Sequence, residues 1–273
     1  NLLSENSLGE LVLPLSSSPE LFDNNLRAWL LPNSTYDQSL MLALFKALKE
    51  MAEIQGLNDE SKHWENVLRR LGPLPTGHVD GPDKNLLYVA PGEALAFSHR
   101  HLAHLIAIFP LNELHLYDDL KSKSVIRRSL LELEKIGTRE WCGYTFSWFA
   151  AMAARVGDAT TAVKYLDIFN SSFISRNGFH LNGDFKKTGH SIHTYRPFTL
   201  EGNFVAAQAV HEMLLQSARG VVRVFPAVPK AWRNISFDRL RGEGGVAVSA
   251  SMVDGVVRRV RIVKETNGEV SVR

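Results

Sequence analysis

The sequence of 273 residues contains a single cysteine, Cys142, and no hydrophobic run of membrane-spanning length. A lone cysteine excludes an internal disulfide, but it leaves the compartment open. Lysine and arginine total 31 and aspartate and glutamate total 29, so neither charge dominates. We therefore expect no nucleic acid and no membrane as a partner. No segment repeats at a fixed period, which argues against the regular solenoid families.

The sequence also lacks an initiator methionine and a signal peptide, and its first residues are an ordinary polar segment. We interpret it as a segment of a longer polypeptide. We therefore expect an N-terminal remainder of the same polypeptide to be a partner of this segment.

Helical periodicity dominates the chain up to about residue 219. Ser34 or Thr35 can cap a first helix that stops at Gly56, and Asn58 opens a second helix that Gly72-Pro73 ends. A connection rich in glycine and proline follows, and loops of that length are often functional. Further helices are predicted at about 99–109, 118–136, 143–156, 158–172 and 199–218.

After Gly220 the pattern changes to short β-branched runs separated by turns, with hairpin signals at Asp254-Gly255 and Asn267-Gly268. We predict a mainly α fold in which residues 1–219 form part of a toroid of antiparallel helix pairs. Residues 220–273 form a small antiparallel β domain. The predicted helices are too few for a closed double ring, which again indicates a segment of a larger chain.

A histidine-rich cluster runs from Ser98 to His104 at the start of a predicted helix. On a helix, His101 and His104 would share a face. Metal binding is one interpretation, but the usual pair is four apart with a glutamate between, and that pattern is absent. The alternatives are a structural helix start and a polar ligand site, where Arg100 and neutral imidazoles suit sugar hydroxyls. We expect no metal and no other cofactor.

An aromatic cluster and a polar loop come next. Trp141, Tyr144 and Trp148 fall near one helical face, which indicates either core packing or a platform for the apolar face of a pyranose. We interpret Cys142, which has no neighbour that would lower its pKa, as a small buried residue. The loop over 179–196 is dense in His, Asn, Asp and Arg, which indicates either a solvated connector or part of a site.

The segment from Phe198 to Phe204 places Glu201 at the start of a helix, with Thr199 as a candidate cap. The helix dipole favours a carboxylate there, so structure alone can explain it. A carboxylate that accepts the free N–H groups is also held ionised, as a general base requires. Gly202 would remove bulk beside it and let a ligand approach.

Five segments in chain order resemble motifs of glycoside hydrolase family 95, the α-L-fucosidase and α-L-galactosidase family. They are Ser17–Glu20, Ser98–Leu105, Gly143–Trp148, Phe198–Phe204 with Glu212–Ser217, and Val224–Trp232. The resemblance implies an (α/α)6 toroid between an N-terminal β-sandwich and a C-terminal β domain. It also implies inverting release of a terminal α-L-fucose or galactose-type sugar from an oligosaccharide or glycan, and an extracellular or periplasmic location.

The resemblance assigns roles to individual residues. Glu201 stands where the family has an aspartate base, and Arg100 and His101 match positions that contact the sugar. We predict that the sugar also contacts three more residues: Asn203, Trp148 and His193.

The general acid and the paired asparagines of the family are expected upstream of Asn1, so neither Glu20 nor Glu93 is assigned the acid's role. Inversion needs two carboxyls roughly 6.5–9.5 Å apart. Two alternatives stay open: a noncatalytic carbohydrate-binding or scaffold remnant, and a different (α/α)6 carbohydrate-active enzyme. A phosphorylase would be such an enzyme, although the sequence shows no Gly-rich phosphate loop.

Overall fold

The computed structural model describes residues 2–23, 25–78, 85–264 and 271–272, and the chain divides into two units, Asn1–Thr138 and Arg139–Arg273. Within the described ranges there are six α-helices and several short, mostly antiparallel strands, so the chain is mainly α with small β-sheets. No helix in these ranges is long and apolar enough to cross a membrane. The domain boundary near residue 219 stays a prediction.

The first unit contains helices α1 (Thr35–Ile54), α2 (Asn58–Arg70) and α3 (Leu120–Ile136). The predicted bounds are confirmed because their signals are local. The Ser34 side chain accepts a hydrogen bond from the Asp37 amide at the start of α1, and Asp119 caps α3 in the same way. Two hairpins complete the unit: β1 (Ser4–Glu5) with β2 (Leu11–Val12), and β3 (Thr76–His78) with β4 (Asn85–Leu87).

The helix predicted at about 99–109 is wrong, since this segment has only a short 3₁₀ turn at Ala103–Leu105. The cause is a local competition between side chain and backbone. Nδ1 of His99 lies 3.1 Å from both the amide nitrogen and the carbonyl oxygen of His101. Such contacts give the backbone an alternative to the helix, so His101 and His104 do not share a helical face.

The second unit is built on α4 (Gly143–Arg155), which packs against both α5 (Ala159–Ile168) and α6 (Glu201–Leu214). A five-residue π-helical turn, Phe169–Phe173, extends α5. Asp158 caps α5 as predicted, through a hydrogen bond from the Thr161 amide. Nearly every residue of α4 is buried, so this helix forms the centre of the unit.

The β part begins earlier than predicted, because α6 ends at Leu214 and β5 occupies Leu215–Ala218. A tight turn joins β5 to β6 (Val221–Val224), and Arg219 and Gly220 both have positive φ there. β10 (Ser271–Val272) pairs with β6 in parallel, which differs from the all-antiparallel prediction.

A second, antiparallel sheet consists of β7 (Ile235–Gly242), β8 (Val246–Val253) and β9 (Val256–Lys264). The predicted Asp254-Gly255 hairpin is confirmed between β8 and β9, with positive φ at both residues. The hairpin predicted at Asn267-Gly268 lies outside the described residues. The core of this region contains four buried aliphatic residues: Leu215, Val222, Val246 and Val248.

Candidate active site

In the first unit, the structure brings Arg100 and His101 together on the carboxylate of Glu20. The Arg100 guanidinium donates to Oε2 of Glu20, and Nε2 of His101 lies 3.0 Å from the same oxygen. His99 adds a contact between its Nε2 and the Glu20 carbonyl oxygen at 3.2 Å. Glu20 also has a left-handed backbone, with φ of 53°.

Charge in this cluster keeps the carboxylate ionised. Burial alone would raise the pKa of Glu20, but His101 and Arg100 outweigh it, and the net pKa is lowered. For His101, burial lowers the pKa more than Glu20 raises it. Burial together with His99 lowers the pKa of His104 to about 3, so that buried ring is neutral. Glu93 lies outside this cluster, and its carboxylate pairs with Arg27 at 3.4 Å.

The described residues include no group of three or more His, Cys, Asp or Glu arranged to hold a metal ion. The interpretation that placed His101 and His104 on one helical face fails, because the helix does not form there.

In the second unit, Glu201 is the first residue of α6, and its side chain is exposed. The expected cap is wrong: the capping residue is Leu200, whose backbone is already helical, and no side chain caps the helix. The hydroxyl of Thr199 instead lies 2.9 Å from Nδ1 of His180. Within the part of the chain that the structure describes, the Glu201 carboxylate makes no hydrogen bond or ion pair that would engage its oxygens.

Gly202 does not open a path for a ligand. A Cβ at this position would lie 2.4 Å from Nδ1 of His180, so glycine is needed to accommodate that buried ring. Asn203 also faces this region. Its Oδ1 accepts from the His180 amide at 2.9 Å, and its Nδ2 donates to the Gly178 carbonyl at 2.9 Å. A role for Asn203 in sugar binding stays a prediction, beside this structural role.

Trp148 and His193 are the two other predicted sugar contacts of this unit. Trp148 is 7% exposed and packs against Tyr144 with ring centroids 5.9 Å apart, so it offers little surface to a sugar. Nε2 of His193 lies 3.3 Å from the Glu140 carboxylate. Their roles in binding stay predictions.

Tyr144 was not among the predicted site residues, yet it belongs with Glu201. Burial, followed by the charge of Glu201, raises the pKa of its hydroxyl. Burial lowers the pKa of His180, and this outweighs the charge of Glu201, which alone would raise it. The sequence does offer a signal for Tyr144, since it falls near one helical face with Trp141 and Trp148. In the second unit, the charge of Glu201 therefore acts on both Tyr144 and His180.

Comparison with known proteins identifies the family of the chain. A model of the glycosyl hydrolase family 95 catalytic domain matches residues 1–214. Alpha-L-fucosidase 2 of Arabidopsis thaliana is 27% identical over 224 residues, which make up 82% of this chain and 26% of that protein. The chain thus spans about a quarter of the length of that relative.

The helix-rich fold, its small sheets and these matches define a chain of the glycoside hydrolase class. More particularly, because the family model covers most of its length, the chain belongs to glycosyl hydrolase family 95.

Proposed function

We propose that this chain is part of an inverting exo-glycoside hydrolase that releases a terminal α-L-fucose or galactose-type sugar from an oligosaccharide or glycan. Its helices would form part of an (α/α)6 toroid that an N-terminal remainder of the same polypeptide completes. The relative named as an alpha-L-fucosidase, of which the chain spans 26%, supports the sugar and the need for further sequence.

The observation that carries the proposal is the position of Glu201. Its carboxylate is exposed at the uncapped start of α6, in the segment that resembles the family's base segment. Since no backbone N–H or cation among the described residues engages its oxygens, they are free to accept a proton from water. In this role Glu201 activates the water that attacks the anomeric carbon.

The proposal keeps Arg100 and His101, in the first unit, as residues that contact the sugar. Arg100 and His101 are held on the Glu20 carboxylate and present donors that suit sugar hydroxyls. The resemblance places the general acid on a segment that precedes the matched one, so the remainder of the polypeptide would supply it. Glu20 is ionised by its two partners, and its lowered pKa makes it a poor proton donor in the free protein.

The test is sugar release by the longer polypeptide that contains residues 1–273, with Glu201→Gln as the variant. We expect kcat to fall by about 10²–10⁴-fold, the usual contribution of a general base. Glu60→Gln is the matched control, because Glu60 is an exposed carboxylate in the first turn of α2. Turnover of the Glu201 variant at the wild-type rate would contradict the assignment of Glu201 as the general base.

Two further readouts complete the test. NMR of the product should show the inverted anomer first, as a single displacement by water requires. If the longer polypeptide binds sugars in calorimetry but hydrolyses none, the noncatalytic remnant is the correct function. Turnover that depends on inorganic phosphate would indicate a phosphorylase instead.

A further inference from the structure

His180 is a fully buried histidine that lies between the starts of two helices. Gly143 opens α4, and Gly202 is the second residue of α6. A Cβ at Gly143 would lie 2.2 Å from Nε2 of His180, and one at Gly202 would lie 2.4 Å from Nδ1. Atoms do not approach so closely, so both positions need glycine. The imidazole ring therefore sets the spacing between the two helix starts.

The hydrogen bonds of His180 fix which ring nitrogen carries the proton. Nδ1 lies 2.8 Å from the carbonyl oxygen of Thr199 and 2.9 Å from its hydroxyl. A carbonyl can only accept, so Nδ1 carries the hydrogen and donates it. Nε2 is then unprotonated, and it has no hydrogen-bond partner among the described residues. It faces the start of α4, where the positive end of the helix dipole favours a lone pair.

The main chain of His180 is tied to the same neighbours. Its amide donates to Oδ1 of Asn203 at 2.9 Å, and its carbonyl oxygen accepts from the Thr199 amide at 3.2 Å. Glu201 lies between Thr199 on one side and Gly202 and Asn203 on the other. Residues on both sides of the carboxylate are therefore held by His180, while the Glu201 side chain itself is exposed.

We propose that His180 is a positioning residue for Glu201. It fixes the main chain on both sides of the carboxylate and thereby sets the direction in which the carboxylate points. The inference rests on the proposed function, since the carboxylate needs a set direction in order to activate water. Misplacement of a catalytic group by about 1 Å can cost about 10²-fold in rate, so a rigid support at this position has a measurable effect.

The first variant is His180→Phe, which keeps a buried ring but removes the Nδ1 donor and leaves the Thr199 carbonyl without it. We expect kcat to fall by at least about tenfold while KM changes by less than about twofold, because the base is displaced and the sugar contacts are not. His180→Asn carries an amide N–H that can reach the Thr199 carbonyl, and it should recover part of kcat. A residue needed only for folding would show neither the kcat-selective loss nor the recovery.

Gly202→Ala is the second variant, and it acts from the opposite side of the ring. The added Cβ displaces His180, so kcat should fall as it does in His180→Phe. Gly72→Ala is the matched control, because a Cβ there would meet its nearest neighbour, an oxygen of Glu10, at 3.7 Å, an ordinary contact. We expect that control to retain wild-type kinetics.

Amide hydrogen exchange over residues 199–204 provides a readout that needs no turnover. His180→Phe should speed exchange there and leave β8 unchanged, since β8 lies outside the contacts of His180. Unchanged exchange and unchanged kcat in His180→Phe would overturn the inference, and so would a loss that His180→Asn fails to recover. Wild-type turnover by Glu201→Gln would overturn the base assignment instead, and with it the reason to position that residue. A wild-type polypeptide without turnover would overturn both.

Discussion

The two ends of α6 carry the same side chain in opposite environments. Glu201 opens the helix and is exposed, whereas Glu212 near its end is 4% exposed. Both oxygens of Glu212 accept from the Arg155 guanidinium at 2.7 Å, and Gln208 donates to one of them at 3.1 Å. A carboxylate whose oxygens are fully engaged serves the fold, whereas one whose oxygens are free can exchange a proton with water. Sequence position alone does not distinguish the two roles, but burial and partners do.

The largest effect should come from breaking the buried ion pair between Glu212 and Arg155. Glu212→Gln keeps the shape of the side chain but removes the carboxylate charge that the buried Arg155 guanidinium contacts at 2.7 Å. We expect the free energy of unfolding to fall by about 3–5 kcal/mol, the usual cost of removing one partner of a buried ion pair. Urea denaturation of the variant and the wild type measures it.

Two control variants sharpen the result. Glu132→Gln removes one partner of the exposed Lys135 pair on α3 and should cost less than about 1 kcal/mol. The double variant Arg155→Met with Glu212→Leu removes both buried charges and should recover most of the loss, because no unpaired charge is left. A Glu212→Gln protein as stable as the wild type would show that the pair does not hold α4 to α6.

Asp184 is a second buried carboxylate, but its partners are backbone groups. It is 0% exposed and accepts from the amides of Thr188, Gly189 and His190 at 3.0, 2.9 and 3.2 Å. Burial alone would raise the pKa of Asp184, but these donors outweigh it and lower the pKa. The Asp184 carboxylate thus fixes the loop that precedes α6.

This lowered pKa gives a pH-dependent stability. An unfolded aspartate titrates at about 3.9, so the contribution of Asp184 is fully present above about pH 4 and is lost as the pH falls through the lower folded pKa. Asp184→Asn should cost about 1–3 kcal/mol at neutral pH, because an amide cannot accept all these bonds. Its unfolding free energy should then fall less between pH 6 and pH 3 than that of the wild type.

Urea denaturation at both pH values checks this, with the exposed Asp167→Asn on α5 as the control. An identical pH dependence in Asp184→Asn and the wild type would contradict the role of these backbone donors.

The features that sequence predicted are those set by neighbouring residues. Ser34, Asp158 and the Asp254-Gly255 turn each act within a few residues, and each is confirmed in its place. The five segments that resemble family 95 were enough to identify the family, because their order along the chain carries the information.

The features that sequence missed depend on residues brought together by folding. His99 bends the backbone where helical periodicity was expected, and its second ring nitrogen contacts Glu20 far away in the chain. Gly202 was interpreted as space for a ligand, because His180, the residue that fills that space, lies in a distant loop. Glu20 was not assigned the role of the general acid, on the resemblance alone, and the structure places it on Arg100 and His101.

Glu20 lies between the two extremes of the opening comparison, since it is half exposed and yet paired with two side chains. Glu20→Gln removes the charge that holds Arg100 and His101, so we expect kcat/KM for sugar release to fall about tenfold, mainly through KM.

The loss should be the same for substrates with good and with poor leaving groups, because a displaced sugar contact affects both. Glu93→Gln, which breaks only the exposed pair with Arg27, is the matched control. A loss confined to poor leaving groups would have a different meaning, since only those need a proton from the enzyme. Glu20 would then be the general acid. Its pKa would rise on sugar binding, because the sugar would take Arg100 and His101 away from its carboxylate. The expectation that the acid lies on a preceding segment would be wrong.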